Sequence, residues 1–140
     1  MVRKSALLAG VPQGICVAMP QDLDRDPTCL FCKIEAGEIP SDRVYEDEQV
    51  IVFRDVNPRA PTHVLAIPRR HVRSIHALTD SPDDNALLAA LFAALRKVAA
   101  QGGLEDGYRV VTNVGPAAGQ SVPHLHLHLL GGRAMSWPPG

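Results

Sequence analysis

Residues 124–130 read His-Leu-His-Leu-His-Leu-Leu, three imidazoles at every second position with leucine between them. On an extended chain successive side chains point to opposite faces. His124, His126 and His128 then line one face, and Leu125, Leu127 and Leu129 the other. A helix would set His124 and His128 one turn apart, with His126 opposed to them. The alternation therefore predicts a strand with one apolar and one reactive face. His76, a lone surface-type histidine, needs no chemical explanation, but no packing need calls for a column of imidazoles behind a column of leucines.

Two chemistries suit such a column. Alternating histidines can supply ligands to zinc with water in an open position, as a metal hydrolase requires. Alternatively, a neutral imidazole can attack phosphorus and form a covalent intermediate that water later cleaves. An imidazole with an ordinary pKa of about 6.5 is mostly neutral at pH 7, and neighbouring imidazoles favour neutrality further by like-charge repulsion. The segment Gly119-Gln120-Ser121 just before the column offers closely approaching backbone and a hydroxyl, which suit phosphate oxygens and a leaving group. That context favours phosphate chemistry over plain metal hydrolysis.

Several elements must position this strand. Asp26-Pro27 offers a cap followed by proline at the first helical position, opening a short helix to about Ala36 that Gly37 closes, with Cys29 and Cys32 on one face. Val44–Glu46 and Val50–Phe53 read as a hairpin around Asp47-Glu48-Gln49. Asn57–Pro61 is a stiff, twice-prolined loop, and His63–Ile67 a third strand stopped by Pro68. Ser81-Pro82-Asp83-Asp84 opens a long helix to about Gln101, whose core stripe is Leu87, Leu88, Leu91, Phe92, Leu95 and Val98 and whose end is Gly102-Gly103. Tyr108–Asn113 is a fourth strand, 115–121 a loop, and the histidine segment a fifth strand. The fold class expected is α+β, a five-stranded antiparallel sheet with two helices on one face.

Composition narrows the function classes. The chain has 140 residues, 46% of them hydrophobic, enough for one core without disulfides. A net charge of -1 and a pI near 6.6 give no pull toward nucleic acid. Three cysteines, Cys16, Cys29 and Cys32, make an odd number for a disulfide framework and fit a reducing compartment or a metal role. No stretch is apolar enough to span a membrane. The basic start and short apolar run resemble a signal peptide, but Pro12-Gln13-Gly14 breaks the run, and the cytoplasm is expected. Residues 1–24 lack periodicity and read as a disordered tail, with Met19 as an alternative start and no role for Cys16; residues 25–140 form the domain.

The histidine segment matches the pattern His-φ-His-φ-His-φ-φ, φ being apolar, and so resembles the histidine triad (HIT) superfamily. His63-Val64-Leu65-Ala66-Ile67-Pro68 with His71, Gly119-Gln120-Ser121 and the terminal Trp137-Pro138-Pro139-Gly140 are similar to its Hint branch, the histidine triad nucleotide-binding proteins. The resemblance covers about residues 26–140. It implies a homodimer whose sheets join into one ten-stranded sheet, and hydrolysis of purine nucleoside 5′-phosphoramidates with nucleotides such as AMP or GMP bound. It implies His126 as nucleophile, His124 and His128 as orienting or donating neighbours, Ser121 as donor to the leaving atom, and His63 as a fourth histidine behind the triad. Asp55 resembles the ribose-hydroxyl ligand, an acceptor-only group suited to two vicinal donors, and Asn113 the asparagine on the phosphate or ribose side. By the same resemblance Gly119 and Gln120 are expected in the phosphate-binding loop. Leu30, Phe31, Ile34, Phe53, Val56 and Leu65 resemble the base pocket, and ordinary core explains these apolar residues equally well.

Cys29-x-x-Cys32 departs from animal-type Hint proteins and looks like bacterial members and the related galactose-1-phosphate uridylyltransferases. By that resemblance Cys29, Cys32, His71 and His124 form a closed, structural zinc site, and catalysis needs no cofactor. Three alternatives stand beside the phosphoramidase reading: a dinucleoside polyphosphate hydrolase or nucleotidyl transferase of the same superfamily, a nucleotide-binding regulatory module, and a zinc hydrolase.

Overall fold

The computed structural model describes residues 25–140. The expected tail, Cys16 and the alternative start lie outside the described residues. The elements run α1 (Leu30–Glu35), β1 (Arg43–Glu46), β2 (Val50–Arg54), β3 (Thr62–Pro68), α2 (Pro82–Gln101), β4 (Tyr108–Val111) and β5 (Leu127–Gly131), with single 3-10 turns at Ile75–Ala77 and Pro116–Ala118. All strand pairs are antiparallel, in the order β1-β2-β3-β5-β4.

The two helices lie on opposite faces of the sheet, not on one. Val50, Val52, Val64, Ala66, Leu127 and Leu129 pack with α2 through Leu87, Leu91, Ala94, Leu95 and Val98. Their alternates Ile51, Phe53, Leu65 and Ile67 pack with α1 through Phe31, Cys32 and Ile34. Period-two alternation thus feeds two cores, and β2 and β3 read as unbroken apolar runs because both of their faces are covered. Phe92, expected in the core stripe of α2, is 54% exposed. The buried line runs through Asp84, Leu87, Leu91 and Leu95, and one residue past Leu91 lies about 100° around the helix.

Ser81 caps α2 as expected, its hydroxyl accepting from the Asp84 N–H at 3.1 Å. Asp84 does more than face the helix dipole. Its carboxylate pairs with Arg70 and accepts from the N–H and hydroxyl of Thr79, both at 2.8 Å, which holds it well below the usual carboxylate range, at about 2. This cluster ties the chain following β3 to the start of α2.

The first helix opens later than expected. Asp26 forms a turn, accepting from the Thr28 N–H at 2.8 Å, and the cap is Cys29, whose Sγ accepts from the Cys32 N–H at 3.4 Å. The fourth strand ends at Val111, two residues early.

The fifth strand begins at Leu127, three residues later than the histidine segment. Its partner explains the difference. Ladder pairing runs from Thr62 opposite Gly131 to Ala66 opposite Leu127, and β3 then reaches Pro68, which has no N–H to continue it. Residues 124–126 are extended and find other partners: the Leu125 N–H donates to the Val72 carbonyl at 2.6 Å, and the Thr112 hydroxyl to the His126 carbonyl at 2.8 Å. The alternation survives. Leu125, Leu127 and Leu129 enter the α2 core, and the histidines face the α1 side.

Candidate functional site

Four histidines converge on the α1 face. His126 and His128 have ring centroids 5.1 Å apart, His63 and His128 5.2 Å, and the Phe31 ring meets His126 edge-on at 5.1 Å and His124 at 5.8 Å. His124, His126 and His63 are buried, and His128 is half-buried.

Hydrogen bonds fix which nitrogen of each neutral ring carries the proton. His126 Nδ1 lies 2.7 Å from the His124 carbonyl, an acceptor only, so Nδ1 donates and Nε2 keeps its lone pair. His63 Nδ1 accepts from the Arg59 N–H at 3.0 Å, so its single proton sits on Nε2. That Nε2 is 3.0 Å from His128 Nδ1 and 3.3 Å from Asp55 Oδ2. When His128 accepts this proton's hydrogen bond through Nδ1, its own proton is on Nε2. The face then presents an imidazole lone pair on His126 beside an imidazole N–H on His128, an arrangement that can pair a nucleophile with a proton donor.

Burial pushes His128 down to about 4, assisted by repulsion from His126 and His63, and burial pushes His63 down as well. In the unfolded chain His128 takes up a proton at about pH 6.5. Between the two values the unfolded state binds more protons. The contribution of His128 to stability is therefore complete above about pH 6.5 and is lost as pH falls toward 4. Urea midpoints are expected to fall between pH 7.5 and 4.5, and to fall less steeply for His128→Asn; equal slopes in both proteins would contradict the lowering of His128 by burial.

The loop before the histidines is held by Gln120. Its Oε1 accepts from the Gly115 N–H at 2.8 Å, and its Nε2 donates to the carbonyls of Arg73 at 2.8 Å and Val122 at 3.0 Å. Gln120 therefore shapes the loop through a fully engaged side chain. Gly119 has φ +88°, a left-handed conformation that favours glycine, and Ser121 is exposed at the loop's end. Asn113 is half-buried on the chain leaving β4. Among the apolar residues, Phe31, Ile34, Phe53 and Leu65 are buried against one another as core of the α1 side, whereas Leu30 is 44% and Val56 90% exposed. Asp55 Oδ1 accepts from the Asn57 N–H at 2.8 Å, and the Asp55 N–H donates to the His63 carbonyl at 3.0 Å.

A second convergence lies beside the triad. Cys29 Sγ is 3.4 Å and Cys32 Sγ 3.6 Å from His124 Nδ1, Cys32 Sγ is 3.3 Å from His71 Nδ1, and the two Nδ1 atoms are 3.2 Å apart. A tetrahedral zinc with bonds of about 2.3 Å to sulfur and about 2.0 Å to nitrogen separates sulfur from nitrogen by roughly 3.5 Å and nitrogen from nitrogen by roughly 3.3 Å. His124 Nε2 lies 3.0 Å from the Pro68 carbonyl and must donate to it, which leaves the Nδ1 lone pair aimed into the cluster. The donor set, spacing and tautomer fit a closed four-ligand zinc site. Burial pushes the Cys32 thiol up to about 11 and His124 down to about 4. Asp55, His63 and His128 also gather three ligand-type atoms, but there the Arg59 N–H occupies His63 Nδ1, and a cation on Nε2 would demand a ring stripped of both protons.

Sequence reading missed the Arg59 amide, the Pro68 carbonyl and the Thr112 hydroxyl, which fix ring orientations and the backbone of the triad. Only the position of Thr112 beside Asn113 on the neighbouring strand gave any signal.

Comparison with known proteins agrees with this geometry. The HIT domain model matches residues 36–135. The chain is 53% identical over 119 residues to the 14 kDa zinc-binding protein of Zea mays, covering 84% of this chain and 91% of the maize protein. It is 50% identical over 111 residues to an uncharacterized HIT-like protein of Synechococcus elongatus, covering 79% and 96%. Its fold matches a HIT family hydrolase from Legionella pneumophila at TM-score 0.78 and 53% identity, over 81% of this chain and 100% of that one. A histidine triad nucleotide-binding protein from Candida albicans matches at TM-score 0.67 and 35% identity, over 79% and 83%. With a family model spanning most of its length and half of the aligned positions shared with plant and cyanobacterial relatives, this chain belongs to the HIT domain family.

Proposed function

We propose that this chain is a cytoplasmic, homodimeric hydrolase of purine nucleoside 5′-phosphoramidates. One observation carries the reading: the His124 carbonyl holds the proton of His126 on Nδ1 and leaves Nε2 as an unprotonated nucleophile. His126 Nε2 attacks the α-phosphorus, the P–N bond breaks, and the departing nitrogen takes a proton presented by Ser121 or His128. The intermediate is a cationic nucleotidyl-imidazole whose Nδ1–H stays on the His124 carbonyl, a charge-assisted bond that grows stronger as the ring gains charge. Water then attacks phosphorus, returns the proton and displaces His126. The sum is phosphoramidate plus water to nucleotide plus amine.

In this reading Asp55 receives the ribose hydroxyls, Asn113 and the Gly119–Ser121 backbone meet phosphate, and Leu30 and Val56 offer exposed apolar surface to the base. The nucleotide-binding and hydrolase names of the Candida albicans and Legionella pneumophila proteins support it. Among the described residues β4 is an edge strand, which supports its pairing with its counterpart in a second copy. Cys29, Cys32, His71 and His124 would hold zinc, as the name of the maize relative supports; a zinc with four protein ligands supplies cross-linking and no open position for substrate. Among the described residues, no helix is long and apolar enough to cross a membrane.

The test is competition in one assay between adenosine 5′-phosphoramidate and a diadenosine polyphosphate. Preferential release of AMP and ammonia from the phosphoramidate is expected. Preference for the polyphosphate would favour the related hydrolase reading, and binding of both without turnover would favour a regulatory module.

A further inference from the structure

His63 has one proton to share between two acceptors, Asp55 Oδ2 at 3.3 Å and His128 Nδ1 at 3.0 Å. The Arg59 N–H excludes that proton from Nδ1, and burial keeps the ring neutral, so the choice is binary. A carboxylate is the stronger acceptor by charge and His128 the nearer one. In the free protein the N–H is therefore divided. Whenever Asp55 holds it, nothing compels His128 to keep its own proton on Nε2.

Asp55 is also the group that receives the ribose diol in the function proposed above, and the inference rests on that reading. Two hydroxyls donating to the carboxylate draw off the charge and lone pairs that compete for the His63 proton. We propose that ribose binding at Asp55 commits the His63 N–H to His128 and thereby fixes His128 as the Nε2–H donor facing the leaving group, so that the sugar hydroxyls raise kcat and not affinity alone. His63 is then a positioning residue acting through His128. Nucleotides lacking the hydroxyls bind but leave the donor undecided. The backbone supports the coupling, because the Asp55 N–H bond to the His63 carbonyl at 3.0 Å and the Asn57 N–H on Asp55 Oδ1 at 2.8 Å keep the carboxylate beside the ring.

The experiment uses the full chain labelled with 15N, saturated in turn with AMP and with 2′,3′-dideoxyadenosine 5′-phosphate, and reads the ring-nitrogen shifts of His128. A single Nε2–H tautomer with AMP and averaged shifts with the dideoxynucleotide are expected; identical His128 shifts with both would overturn the proposal. Kinetics give the second arm. Adenosine 5′-phosphoramidate should exceed its 2′,3′-dideoxy analogue in kcat by about tenfold or more, a part of the effect of a general acid. In His63→Asn the kcat ratio should approach one while the KM ratio remains. A difference in KM with equal kcat in the parent protein would overturn the coupling and leave ribose binding at Asp55 standing. Equal kcat and equal KM would remove the ribose role of Asp55, and the coupling with it.

Discussion

His126→Asn is expected to reduce phosphoramidate turnover by about 10^4-fold or more, the scale seen when a covalent nucleophile is removed from an otherwise intact site. Asparagine retains a side-chain N–H that can reach the His124 carbonyl, so the local backbone changes little, although the ring contact with Phe31 is lost. What it lacks is a basic nitrogen able to bond to phosphorus and leave again. Nucleotide affinity should therefore persist while kcat collapses, a split that single-turnover kinetics and AMP titration measure together. His128→Asn should lose less, because in the proposed mechanism Ser121 can also donate to the leaving nitrogen. A His126→Asn protein that turns over at the parent rate would remove the nucleophile assignment.

The second large effect concerns the Cys29, Cys32, His71 and His124 cluster. Chelation of the zinc-loaded protein, or Cys32→Ser, is expected to lower Tm by roughly 10 °C or more, as loss of a few kcal/mol does in a domain of this size. The four residues come from the α1 cap, the first turn of α1, the chain after β3 and the approach to β5, so the ion would hold together segments up to 95 positions apart. Removing it leaves buried sulfurs and an imidazole lone pair without a partner. His124 also carries the carbonyl that sets the His126 proton, so turnover should fall along with stability. Calorimetry with and without chelator, alongside a count of zinc released per chain, checks both. A Tm unmoved by chelation of a protein shown to contain one zinc per chain would contradict a structural role.

Much of this was legible in the sequence wherever a local pattern has one physical solution. The alternation at 124–130 assigned the histidines to one face and the leucines to the other even though ladder pairing starts only at Leu127, because an extended chain alternates with or without a neighbour. Where that ladder stops depends on Pro68, 59 positions before Leu127, and no reading of the histidine segment alone contains it. The side of the sheet taken by α1 was missed for a related reason. Continuous apolar runs in β2 and β3 announce two covered faces, but not which helix covers each. Asp26-Pro27 carried the better cap signature, yet the Cys29 thiol took the cap, in a segment whose two cysteines gather with His71 and His124 from distant parts of the chain. Proton positions were least legible. They depend on a backbone amide at Arg59 and on carbonyls at Pro68 and His124, groups that every residue except the amide-less proline possesses and that only folding aims.

The most direct measurement is a rapid acid-free quench during turnover of adenosine 5′-phosphoramidate, followed by mass spectrometric mapping of the nucleotidylated peptide under neutral conditions. One adenylyl group per chain, on His126 through Nε2, is the predicted result. An adduct on His124 or His128, or steady turnover with no adduct on any histidine, would contradict it.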